Sequence, residues 1–316
     1  MAVARCRRSL LATFTWAVVT SFTLWTGQGS STRCWRPDPM VRIALLQMTS
    51  SDLPEENLAA AREMIARTAA AGAQFVLTPE VTNCLSTSRT QQQAVLHPEE
   101  NDPTLAGLRD AARQHGVWLS IGSLGVKTTD ADGRFANRQF LISPDGEIKA
   151  RYDKIHMFDV EVTPEETYRE SDGYRPGTRA VLADAGFAKI GMTICYDVRF
   201  PALHRRLAQA GAEIITAPAA FSHVTGAAHW HSLLRARAIE TGCFVLAAAQ
   251  TGVHDTSRGA ARQTYGHSLA VAPWGEILAD AGTETGITCV DLDLEAVKKA
   301  RKRVPSLTHD REFDGP

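Results

Sequence analysis

The sequence predicts an α/β fold built as a four-layer α-β-β-α sandwich of two similar halves, and three observations predict it. From Val41 onward, short apolar runs alternate with helical stretches, as strands interleaved with helices do. Three segment pairs then recur in the same order at offsets of 139, 126 and 129 residues. Between them, residues 155–178 carry no periodicity and read as a long connecting loop, a kind of segment that is often functional.

The elements follow in order. Val41-Arg42-Ile43-Ala44-Leu45-Leu46-Gln47 reads as a first buried strand. Ser51-Asp52 ahead of Pro54-Glu55-Glu56 supplies a cap, an early proline and acids in the first turn, so a helix starts there. It ends near Ala71-Gly72, where glycine accepts a left-handed conformation, and Phe75-Val76-Leu77-Thr78 is the next buried strand. Residues 207–212 and 213–218 repeat this helix, Ala-Gly-Ala turn and strand. Gly116-Val117-Trp118-Leu119-Ser120-Ile121 pairs with Gly242-Cys243-Phe244-Val245-Leu246-Ala247, and the turn Pro144-Asp145-Gly146-Glu147-Ile148 with Pro273-Trp274-Gly275-Glu276-Ile277. Each half thus supplies helices and a sheet. The two sheets bury their apolar faces against one another, giving one domain over residues 40–316.

The first 39 residues differ from the rest. They hold five arginines, three of the six tryptophans and a single acid, Asp38, around an uncharged apolar run from Leu10 to Trp25. A signal peptide, a transit peptide and an upstream extension ahead of a start at Met40 all fit this composition. The whole chain has 316 residues, 34 Lys+Arg against 35 Asp+Glu and a net charge of −1, which excludes electrostatically driven nucleic-acid binding. At 44% hydrophobic residues it is no disordered chain. Six cysteines, at 6, 34, 84, 195, 243 and 289, form no CxxC pair. That argues against a zinc knuckle, a redox dithiol or a disulfide scaffold and for a reducing, cytoplasmic compartment, with mitochondrial or exported placement only if residues 1–39 are a targeting peptide.

Several motifs carry no chemistry on inspection. Gly266-His267-Ser268-Leu269-Ala270 has the form of a nucleophile elbow, but a strand and turn follow the serine rather than a helix. His229-Trp230-His231 lies in a helical run, where positions i and i+2 face apart, so no metal site is expected there or elsewhere. No phosphate-binding glycine loop occurs, and no cofactor is expected. The strongest local signal is Lys189-Ile190-Gly191-Met192-Thr193-Ile194-Cys195, an apolar strand running into a cysteine ahead of Pro201 and a helical segment. A cysteine at such a turn lies near helix N–H groups that lower its pKa and bind an oxyanion; a buried structural thiol is the other reading. Glu80 stands just beyond one buried strand and Lys154 just after a hairpin arm. Glu80, Lys154 and Cys195 therefore form a set at strand C-terminal ends, the edge where sheet enzymes gather their sites.

Thr78-Pro79-Glu80, Tyr152-Asp153-Lys154-Ile155-His156-Met157-Phe158-Asp159, Cys195-Tyr196-Asp197-Val198-Arg199-Phe200-Pro201 and the run from Trp230 to Glu240 occur in order and resemble the nitrilase superfamily of carbon-nitrogen hydrolases. The resemblance implies Glu80 as general base, Lys154 as the cation at the tetrahedral intermediate, Cys195 as nucleophile and Glu170 as the residue that orients Lys154 and the substrate amine. Around the nucleophile the chain is similar to the deaminated glutathione amidases and their ω-amidase relatives. Asp153, Ala202 and segment 81–101 depart from that branch, which leaves the substrate open. The expected reaction is hydrolysis of a small carboxylate-bearing amide through a cysteine thioester, with Arg199 and Tyr196 as candidate substrate-binding residues. An N-carbamoyl amino acid amidohydrolase, an acyltransferase and a non-catalytic interaction protein are the alternatives. The resemblance also implies a homodimer through the helices at 200–210 and 228–241.

Overall fold

The computed structural model describes residues 40–164 and 166–315, and the expectation of a separate leader over residues 1–39 lies outside them. The first half runs β1 (Met40–Gln47), α1 (Pro54–Ala70), β2 (Phe75–Leu77), α2 (Arg89–Val95), α3 (Pro103–His115), β3 (Trp118–Lys127), β4 (Phe135–Ile142) and β5 (Ile148–Asp153). The loop expected over 155–178 contains a short hairpin, β6 (Asp159–Glu161) and β7 (Thr167–Arg169), followed by a 3-10 turn at Glu170–Asp172. Three-residue strands are too short to leave a period in the sequence. The second half is β8 (Val181–Asp184), β9 (Lys189–Met192), α4 (Pro201–Gln209), β10 (Ile214–Thr216), α5 (His223–Thr241), β11 (Phe244–Ala247), β12 (Thr251–His254), β13 (Arg262–Tyr265), β14 (Leu269–Val271), β15 (Ile277–Asp280), β16 (Gly286–Asp293) and α6 (Glu295–Arg303).

Two six-stranded sheets result, ordered β16-β1-β2-β3-β4-β5 and β15-β14-β11-β10-β9-β8. Read from opposite ends they match strand for strand. In each, three central parallel strands are flanked by antiparallel ones. The three sequence repeats fall on β2 and β10, on β3 and β11, and on the β4–β5 and β14–β15 turns. One asymmetry is topological: β16 returns from the far end of the chain to pair with β1, Met40 against Asp293, filling the edge that β8 fills beside β9.

Alternation along the strands divides the core. Ile43, Leu45, Phe75 and Leu77 point between the sheets, against Ile190, Met192, Ile214 and Phe244. Ala44, Leu46, Val76 and Leu119, one residue out of phase, face α1 and α3 through Ile65, Leu105 and Leu108. On the other side α4 and α5 cover the second sheet with Leu203, Leu207, Trp230 and Leu234, which completes the four layers. The cap expected for α1 from Ser51-Asp52 is not made. Its N-cap is Leu53, while Asp52 is buried and accepts hydrogen bonds from the Ser257 N–H at 2.8 Å and Oγ at 2.7 Å.

The sheets approach closely where the site lies. A Cβ on Gly122 would sit 2.0 Å from the Thr78 carbonyl oxygen, 2.5 Å from that of Pro79 and 2.6 Å from Pro218 Cβ. Only a residue without a side chain fits between these strand ends. Gly122→Ala is therefore expected to displace the segment that carries Glu80 and to cost about 1–3 kcal/mol as overpacking. Urea unfolding checks this; an unchanged midpoint would contradict it.

Candidate active site

Three strand ends place the central residues. Glu80 follows β2, Lys154 directly follows β5 and Cys195 follows β9. The backbone is left-handed at Cys195, φ 48°, and at Val81, φ 47°. Such conformations cost non-glycine residues on the order of 1–3 kcal/mol and persist where the surroundings enforce them. Around Cys195 the enforcement is explicit. Its N–H donates to the Pro218 carbonyl at 2.8 Å, and the fully buried Asp197 carboxylate accepts from the Ile194 N–H at 2.9 Å and the Tyr152 hydroxyl at 2.6 Å. The same carboxylate takes the His156 N–H at 3.1 Å and lies 2.7 Å from His156 Nδ1. Asp197 thus ties the cysteine turn to the strand that ends in Lys154. At Val81 the N–H donates to Ser123 Oγ at 2.8 Å.

The Lys154 ammonium is buried between two carboxylates. Its Nζ lies 2.8 Å from Glu80 Oε1, 2.9 Å from Glu170 Oε1 and 2.8 Å from Glu170 Oε2. Side-chain exposure is 2% for Lys154, 5% for Glu80 and 13% for Glu170. One cation thus faces two anions, and Asn137 supplies further donors. Its Nδ2 lies 2.9 Å from Glu80 Oε1 and 3.3 Å from Glu170 Oε1. The Ala220 N–H donates to Glu80 Oε2, and the Phe158 N–H to Glu170 Oε2, both at 2.7 Å. With Lys154 at their centre, these carboxylates are engaged by the protein's own cation and have no role to offer a metal.

Burial alone would raise the Glu80 carboxyl, but the Lys154 charge and the hydrogen bonds from Lys154 and Ala220 outweigh it and hold the group below the ordinary carboxylate value. Burial alone would lower Lys154; the charges of Glu170 and Glu80 reverse this and keep the ammonium protonated well above its usual range. At Cys195 burial and the neighbouring Glu80 charge act together, and the thiol is pushed well up against the opposing pull of Lys154. The expectation that helix N–H groups lower this thiol is therefore overturned. A 3-10 turn occupies Cys195–Arg199, and α4 begins only at Pro201, too far on for its N-terminus to act on the sulfur.

Glu80, Lys154, Glu170, Cys195 and Tyr196 line one cavity of about 430 Å³, with Asn137, Tyr168 and Arg262 also on its wall. Arg199 is not on it. Its guanidinium lies over the Tyr196 and Phe221 rings at 5.9 and 5.4 Å, beside His229, and faces a neighbouring depression. Arg89, Arg169 and Arg262 are the arginines on the cavity wall, and Arg262 is the one beside Ala220. One of its nitrogens donates to the Ala220 carbonyl at 2.6 Å, whereas its buried Nε has no protein partner. Sequence reasoning missed Asn137, Asp197 and Arg262. Asn137 left a trace: with Gln139 it places two amides on an otherwise apolar face of β4, a pattern that needs buried polar partners. Ser268, set aside as a nucleophile, is buried and accepts the Ala249 N–H at 2.9 Å.

Removing one partner of a buried ion cluster leaves the others uncompensated, typically at about 3–5 kcal/mol. Lys154→Met should destabilise the protein by about that much, and Lys154→Met/Glu170→Gln should recover part of it, as read by urea unfolding. A loss below about 1 kcal/mol would place the ammonium outside the cluster.

The profile described as Carbon-nitrogen hydrolase matches residues 42–302. The chain is 42% identical over 271 residues to the deaminated glutathione amidase of Yersinia enterocolitica, covering 85% of this chain and 92% of that one. A solved Saccharomyces cerevisiae member of branch 10 of the nitrilase superfamily superposes with a TM-score of 0.75 at 29% identity, over 87% of this chain and 97% of that one. An amidase from Nesterenkonia, solved with acrylamide added to its active-site cysteine, superposes with a TM-score of 0.67 at 28% identity, over 84% and 98% of the two chains.

Proposed function

The chain belongs to the carbon-nitrogen hydrolase family, and from that premise we propose that it hydrolyses a small carboxylate-bearing amide through a thioester on Cys195, with deaminated glutathione as substrate. The observation that carries this reading is the cavity in which the thiol meets a base and a cation while Arg262 adds a further cation on the same wall. The substrate itself is carried by likeness to relatives named deaminated glutathione amidase.

Because burial and Glu80 hold the thiol neutral, a standing thiolate is not the resting nucleophile. The proton passes to Glu80 as sulfur adds to the amide carbon, so the negative charge is transferred to the carbonyl oxygen rather than held on sulfur. Lys154 and the Tyr196 N–H, at the start of the turn after the nucleophile, receive that oxyanion. Glu80 then returns the proton to nitrogen, the C–N bond breaks and ammonia or an amine leaves. Water attacks the thioester with Glu80 again taking a proton, the C–S bond breaks and the thiol is restored. Glu170 and Asn137 touch Lys154 and Glu80 respectively and hold both in place through these steps.

The surroundings agree with a small homodimeric enzyme of a reducing compartment, the cytoplasm. Cys84, Cys195, Cys243 and Cys289 are unpaired, and Val224 and Ile239 stand exposed on the outer side of α5. Among the described residues no helix is long and apolar enough to cross a membrane.

A panel of deaminated glutathione, 2-oxoglutaramate, N-carbamoyl amino acids and a simple nitrile tests the substrate. Deaminated glutathione is expected to give the largest kcat/KM, and Cys195→Ala to abolish turnover; preference for 2-oxoglutaramate or a carbamoyl amino acid would move the assignment to those amidases. Added amines that divert the acyl group would identify a transferase, and retained activity in Cys195→Ala would refute the nucleophile. Arg262→Ala should weaken binding of the carboxylate substrate, with KM rising about tenfold or more. For an amide without titrating groups, kcat/KM should fall only on an acid limb below the ordinary carboxylate value of 4.5 and stay level from about pH 6 to 9. A step near pH 6.5, where imidazole titrates, would contradict the absence of histidine from the reaction.

A further inference from the structure

His231, dismissed in the sequence because its neighbour His229 points elsewhere along the helix, meets other partners in the fold. Its Nε2, from α5, lies 2.9 Å from Asp280 Oδ2 at the end of β15. His267, in the turn between β13 and β14, places Nδ1 2.8 Å from Asp280 Oδ1. The three ligand atoms lie within 4.8 Å of one another, and the two imidazole rings meet edge to face at 5.2 Å.

The His267 ring is positioned by contacts that leave Nδ1 aside. Its backbone is left-handed, φ 54°, fixed by its N–H to the Gly282 carbonyl at 2.7 Å and by the Trp230 Nε1–H to its own carbonyl at 2.8 Å. Tyr265 stacks on the ring at 4.5 Å. Locking this turn to one carboxylate needs a single imidazole. Two imidazoles from separate elements, one on each oxygen of the same carboxylate, form a convergent N, N, O donor set. All three side chains are 23–33% exposed, which leaves an approach for an ion and a water.

We propose that His231, His267 and Asp280 bind a divalent first-row transition ion, zinc by its donor chemistry, with water completing the coordination. Imidazole and carboxylate donors in this number suit zinc and its neighbours rather than calcium or magnesium, which take mostly oxygen ligands. The ion takes the place of the two N–H hydrogen bonds, each imidazole turning a lone pair to the metal. It clamps α5 to the strands β13 and β15. Those segments continue into Ser222 and Arg262 on the wall of the catalytic cavity, so the site stiffens that wall without touching the reacting groups.

The test uses the metal-free full chain carrying Cys195→Ala, which removes the catalytic thiol as a competing zinc ligand, and titrates it with zinc by calorimetry and with cobalt by visible absorption. One zinc per chain is expected, with a zinc-dependent rise in Tm. His231→Ala, Asp280→Asn and His267→Asn should each weaken binding by about tenfold or more. Asparagine is chosen at 267 because it tolerates the left-handed backbone. His223→Ala, on the same helix outside the cluster, should leave binding unchanged. Circular dichroism and the metal-free Tm identify variants that fold, and the three independent substitutions keep the outcome readable if one does not. Absence of saturable binding below about 100 µM zinc, or binding that survives both His231→Ala and Asp280→Asn, would overturn the proposal.

Discussion

The site depends on one buried ammonium. Lys154, at the end of β5, is removed from water and held charged only because Glu80 and Glu170 contact it directly. Desolvation opposes such a cluster strongly, and it survives because each charge finds a close partner and the remaining lone pairs find N–H groups. Those N–H groups come from Asn137, Phe158 and Ala220, on separate elements of both halves. Precise registration of the two sheets is therefore a condition for keeping the cation, and the close approach at Gly122 is where that registration is tightest.

The same electrostatics assigns roles. A carboxylate held below its ordinary pKa beside a thiol held above its own does not generate a thiolate at rest. In the proposed reaction the cluster becomes productive when a carbonyl enters and offers an oxygen on which the negative charge can settle next to Lys154. This is stabilisation aimed at the transition state rather than the ground state.

Much of this was legible in the sequence because it rested on local chemistry. Repeated helix-to-strand runs foretold two equivalent sheets, Glu80 and Cys195 each followed an apolar run with a visible end, and Lys154 followed a hairpin arm. What stayed hidden was long-range. The pairing of β16 with β1 joins segments some 250 residues apart along the chain, and no local pattern encodes it. The sign of the Cys195 shift depends on how deeply the thiol is buried and on the placement of Glu80 across the fold, so a reading based on the following helix alone reversed it. Arg199 looked suited to a carboxylate by its place after the nucleophile, but the 3-10 turn directs it onto aromatic faces. Arg262 reaches the cavity from the β12–β13 hairpin, a placement set by the pairing of His254 with Arg262 rather than by any local pattern. Asp197 was visible only as part of a motif, and its work of fixing a left-handed cysteine emerges from one contact within its own turn and three to Tyr152 and His156 on a distant segment.

The claim that the resting nucleophile is a neutral thiol beside a charged Glu80–Lys154–Glu170 cluster is tested most directly by the ultraviolet thiolate absorbance of Cys195, taken as the difference between the wild-type protein and Cys195→Ala across a pH titration. The account predicts no thiolate signal from this residue until the pH exceeds the ordinary thiol value of 9.0. A full thiolate band already present at neutral pH would contradict it and would identify a standing ion pair with Lys154 instead.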